Sequence, residues 1–158
     1  MKKLNCLFIA SFILFSAVTN LISNSAEGDN WLVINGGEFN NTKVIMKPAA
    51  DLDDNSIVYT TGNDMSNLIL GASYNDKPCN VVANINGNKI GTTQSIYINV
   101  QVGGVEYIST SPVSITFNTY GAVGTIVSGS FTASLMSMAT GRAINAEVHF
   151  AAMRKTDM

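Results

Sequence analysis

The stretch "SIYINVQVGGVEYIS", Ser95 to Ser109, decides the fold class. Period-two alternation places every second side chain of a strand on one face. Ile96, Ile98, Val100 and Val102 accordingly oppose Ser95, Tyr97, Asn99 and Gln101. Gly103-Gly104 then interrupts the pattern, and a two-residue hairpin loop that needs positive φ at both positions is what paired glycines supply. The reading predicts a hairpin with Val102 opposite Val105 and Val100 opposite Tyr107.

The same alternation continues outward from this hairpin. In "PVSITFNTY" Val113, Ile115 and Phe117 share a face. In "VSGSFTASL" Val127, Phe131, Ala133 and Leu135 share one with Gly129, and in "INAEVHFAA" Ile144, Ala146, Val148, Phe150 and Ala152 oppose Asn145, Glu147 and His149. Asn86-Gly87 in "NINGNKI" predicts a second hairpin, joining "NVVANI" to "NKIGT". Upstream, "NWLVIN", "EFNNTKVIM", "SIVYTT" and "NLILGAS" read as earlier strands between the turn-rich connectors "KPAADLDDN", "GNDMS" and "YNDKPC". Strands with one apolar face must bury those faces against one another. The expected fold is an all-β, immunoglobulin-like antiparallel β-sandwich of about nine to ten short strands. A membrane barrel is the rival, but its strands need about nine to eleven residues and two aromatic girdles. In "TYGAVGTIVSGSF", Gly121 and Gly124 are read as a chain reversal, and Gly129, alone on a dry face, as a bulge or a close approach.

The first residues carry Lys2 and Lys3, an apolar run from Leu7 to Ile22 and a small-residue exit at Ser23-Asn24-Ser25-Ala26. This is the pattern of a cleaved secretory signal peptide over 1–25, leaving one domain over 26–158 and an exported protein. Cys6 precedes the apolar run, so no lipid anchor is expected. Without Lys2 and Lys3 the nine basic residues become seven, against eleven acids. That balance argues against nucleic acid and anionic membrane surfaces as partners. Cys79 is then the only cysteine, which excludes an internal disulfide.

Chemistry-bearing residues are sparse. His149, the only histidine, falls on a polar strand face. Cys79 with His149 would make a thiol nucleophile and its base, yet "DKPCNV" has no thiol-enzyme pattern, and one His with one Cys cannot fill a zinc site. No catalytic or cofactor-binding residue is assigned. Asp51, Asp53 and Asp54 in "DLDDN", joined by Asp64 from a neighbouring loop, form the densest set of oxygen ligands and are the candidate calcium site. Trp31 is expected to pack in the core or at an edge, while Tyr97 is expected to emerge on a wet face.

The tail from Ser114 to Arg154 resembles the end of small, uncharacterised secreted or lipid-anchored bacterial β-sandwich proteins. The matching positions are Tyr120, Gly121, Val123, Gly124, Gly129, Phe131, Leu135, Phe150 and Arg154. The chain departs from that pattern in Val148, where a glycine is common, and in lacking an acylated cysteine. The resemblance implies a fold and an exported location, and no reaction. The expected function is a non-enzymatic binding or interaction module with a protein or glycan partner. The alternative is a carbohydrate- or calcium-binding sandwich that uses the loops near residues 51–55 and 64.

Overall fold

The computed structural model describes residues 30–47, 56–62 and 64–155. The leader and Asp51, Asp53 and Asp54 lie outside the described residues. The chain forms β1 (Trp31–Gly36), β2 (Phe39–Ile45), β3 (Ser56–Thr61), β4 (Met65–Tyr74) and β5 (Lys77–Asn86). It continues as β6 (Gly91–Val102), β7 (Val105–Ser109), β8 (Ser114–Thr119), β9 (Ile126–Met136) and β10 (Ala143–Arg154). Among the described residues no helix is long and apolar enough to cross a membrane.

All ten strands belong to one hydrogen-bonded sheet. Pairing is not purely antiparallel as the sequence suggests. β10 meets β3 in parallel through Met153 opposite Ile57 and Arg154 opposite Val58. This contact joins segments far apart in the chain, which local alternation does not encode. It also closes a ring, because β3–β4–β5–β6–β8–β9–β10 are paired in turn and β10 returns to β3. Closure removes most of the free strand edges that would otherwise pair with other chains.

Inward residues of every strand meet in a single core that includes Leu32, Val58, Leu70, Val81, Ile98, Phe117, Phe131 and Phe150. Along one edge of β10, β1 pairs as far as His149 and β3 begins at Met153. Asn30 fills the junction: its Oδ1 accepts from Ala151 N at 2.5 Å, and its Nδ2 donates to Lys47 O at 2.8 Å and Ser56 Oγ at 3.0 Å. A fully buried polar residue is tolerated here because the backbone leaves it partners to satisfy.

The predicted hairpin has the expected register, Val102 opposite Val105 and Val100 opposite Tyr107, with φ of 62° and 87° at Gly103 and Gly104. The alternation upstream of it is broken. Asn84 pairs with Tyr97 but Ile85 pairs with Ser95, so Ile96 is the extra residue of a bulge and is 57% exposed, while Ser95 turns inward. Serine hydroxyls repair the ladder there: Val113 N donates to Ser95 Oγ at 2.9 Å and Ile98 N donates to Ser109 Oγ at 3.0 Å. The Asn86-Gly87 hairpin also forms, but Lys89 and Ile90 remain in its loop and β6 starts only at Gly91. Gly129 is a close approach and faces a register shift in β8. A Cβ there would stand 2.6 Å from Phe150 Cζ, and Phe117 and Phe150 pack edge to face with ring centroids 5.9 Å apart.

Candidate interaction surface

Asp64 occupies the β3–β4 turn, exposed, with φ of 59°, and accepts a hydrogen bond from Asn88 Nδ2 at 3.2 Å. Among the described residues no three His, Cys, Asp or Glu side chains converge on a metal-sized site. Cys79 points into the core from β5, and burial pushes its thiol up to about 11. At neutral pH it is a protonated thiol, the poor nucleophile form. His149 lies on the outward face of β10, so the sheet separates the two groups and no thiol–base pair forms.

Trp31 is not a core residue. It stands half-buried on the outward face of β1, stacked on His149 with centroids 3.8 Å apart, and Lys43 Nζ lies 5.0 Å from its ring centroid. The strand register explains this, since Trp31 is directly opposite His149 on one side and Ile45 on the other. His149 Nε2 also sits 3.2 Å from Glu147 Oε1. Neighbours on β10 and β2 thus flank the indole on both sides.

A second polar cluster ties the ring together at the β8–β9 turn. Tyr120 OH lies 2.7 Å from Ser66 Oγ and 3.0 Å from Thr60 Oγ1. Arg154 donates to Gly121 O at 2.6 Å and to Thr60 Oγ1 at 3.2 Å, with its guanidinium 5.1 Å from the Tyr120 ring centroid. These groups bond to one another between strands and clamp the β8–β9 turn to β3, β4 and β10.

The opposite end of the same seam is different. β7 and β8 run one after the other in a lane between β6 and β9. β8 is paired on both edges, to β6 through residues 114–117 and to β9 through residues 115–119. β7 is paired to β6 from Val105 to Ile108 but to β9 only at Ile108 and Ser109. Beyond Met136 the chain leaves the lane, because Ser137 N donates to Arg142 O and Gly141 N to Ser137 O, both at 2.8 Å, in the β9–β10 turn.

The departure opens a groove of about 480 Å³, lined by Tyr97, Val105, Glu106, Ile108, Met138 and Thr140 among others. Of these Met138 is 75% exposed and Tyr97 36%, and Met136, 39% exposed, is the β9 residue opposite Ile108. Tyr97 does emerge on the wet face, where its OH accepts from Asn99 Nδ2 at 3.1 Å. Methionine and tyrosine together give an adaptable apolar surface with a polar rim, the composition favoured at protein contacts. Sequence reading missed this surface. Only the bulge and the turn that peels away, neither of which breaks the hydrophobic pattern, bring its residues together.

No protein-family model, curated protein or solved structure matches this chain.

Proposed function

We propose that the protein is an exported, non-enzymatic binding module whose contact surface is the groove between β7 and the β9–β10 turn. In this reading the leader is removed, the closed sheet is flattened as a sandwich, and the partner is a protein and not a nucleic acid. The observation that carries it is the gathering of Tyr97, Ile108 and the exposed Met138 around one groove. Exposed apolar patches rimmed by polar residues mark interaction sites on soluble proteins. A calcium- or carbohydrate-binding sandwich has less support on the described residues, where Asp64 bonds to Asn88 beside Lys89 and Trp31 is flanked on both sides.

The test is site-specific photo-cross-linking in the protein's native surroundings, with the label at Met138 or at Thr132 on the wall formed by β9. A discrete product from position 138, competed by unlabelled protein but not by Met138→Lys protein, supports the reading. Equal labelling from both positions, or none from position 138, refutes it.

A further inference from the structure

The groove beside β7 presents backbone as well as side chains. In a two-residue hairpin the residues next to the loop form the first hydrogen-bonded pair, and the pairing then alternates. Val105 and Tyr107 therefore bond across to Val102 and Val100 of β6, while the N–H and C=O of Glu106 point away from β6. On that side the β7–β9 register, Ile108 opposite Met136, would bring Met138 against Glu106 if β9 continued. The turn held by Ser137 and Arg142 takes the chain elsewhere. An exposed pair of strand hydrogen-bonding groups is a template for another strand.

Resting on the reading of this groove as the contact surface, we propose that its occupant is a short extended peptide segment of a partner protein. The segment adds to the open edge of β7 and places a basic residue against Glu106. Main-chain bonds to Glu106 hold it, and its alternate side chains lie over Tyr97, Ile108 and Met138, the usual division of labour in strand addition. Helices satisfy their backbone internally and would leave Glu106 unmatched. A second copy of this chain is disfavoured by charge: antiparallel pairing of two β7 edges about Glu106 sets carboxylate against carboxylate, and like charges directly opposite are destabilising. Glu106 is also the only charged residue lining the groove, and neither of the ion pairs among the described residues involves it.

β2, which pairs only with β1 among the described residues, is a poorer template. Asn41 twists it with φ of 47°, Lys43 stands exposed along it, and Lys47 N ties its end to Gly71 O at 2.9 Å. Such features blunt an edge against addition.

The experiment follows amide hydrogen exchange in the mature chain with a short peptide in which Thr and Val alternate about a central Lys. Two N-methylated versions of the peptide each block one strand edge. The expected result is that the peptide slows exchange of the Glu106 amide by about tenfold or more, that one N-methylated version loses the effect and the other keeps it, and that Glu106→Gln weakens binding roughly threefold to tenfold at low salt. An unchanged Glu106 amide at about 1 mM peptide, or binding indifferent to both N-methylations, overturns strand addition. A Met138-dependent cross-link alongside an unchanged Glu106 amide overturns strand addition while leaving the contact surface standing.

Discussion

β8 and the first half of β7 occupy one lane between β6 and β9, and they meet solvent differently. β8 has a paired strand on each side, with Phe117 packed against Phe150 and Tyr120 beneath it and the Tyr120–Arg154 clamp closing the end. Val105 and Glu106 of β7 lie past the end of β9 and line a groove instead. The two halves share strand neighbours and a similar composition. What separates them is a turn: the chain after β8 folds back as a strand that pairs with it, whereas the chain after β9 leaves before reaching Glu106. Loop geometry, not strand propensity, thus decides where this sheet offers an edge.

The largest expected contrast is in core truncation. Phe131, opposite Ile115 in the sealed half, is 4% exposed, and Phe131→Ala should cost about 3 to 5 kcal/mol in urea unfolding. Met136, opposite Ile108 in the open half, should cost less than about 1 kcal/mol as Met136→Ala. Equal losses would break the comparison.

Next comes pH. Cys79 lies level with Val102, one strand over from the open half, and is fully buried. Its thiol is held protonated in the fold up to about 11, against 9.0 when free. Its stabilising contribution is therefore complete below pH 9 and lost as pH rises through 11. Relative to Cys79→Ala, the wild type should lose about 2 to 3 kcal/mol over that interval. Parallel stability curves for the two proteins would mean that water reaches the core beneath β7, and that the opening is more than an edge.

Tyr120→Phe should cost about 0.5 to 1.5 kcal/mol, because it removes the hydrogen bonds to Ser66 and Thr60, which keep Gly87 O and Arg154 as partners. A neutral result in thermal or urea unfolding would deny the clamp its role in sealing the β8 end. The smallest effect belongs to Met138→Lys, expected within about 0.5 kcal/mol of wild type because the residue is solvent-facing. A large loss would make Met138 part of the core and remove it from the contact surface.

Much of the strand pairing was legible in the sequence. Paired glycines announce the Gly103-Gly104 hairpin down to its register, and the alternation of Val127 to Leu135 places Phe131 inward. Gly129 stands out because it interrupts that dry face, and Phe150 uses the space it leaves. The alternation was misleading at Ile96, since a bulge changes the face without changing the letters. Closure of the ring depends on β10 meeting β3 in parallel, and the clamp depends on Tyr120 meeting Arg154; both are contacts between distant segments. Asn30 reads as a polar residue at a strand entrance and is instead fully buried at the β1–β3 junction. The groove was invisible for the same reason. "SLMSMATGRA" contains a strand end and a turn, and nothing local states that the turn leaves Glu106 without a partner strand. Of the acidic residues singled out as calcium ligands, Asp64 alone lies among the described residues.

The most direct test of the sealed and open halves is native-state amide exchange in the free protein, comparing Glu106 with Ile115, Thr116 and Phe117. The Glu106 amide should exchange faster than the slowest of the β8 amides by about a hundredfold or more. Protection of Glu106 equal to that of β8 would mean that its N–H has an internal partner, and the open edge of β7 would not exist.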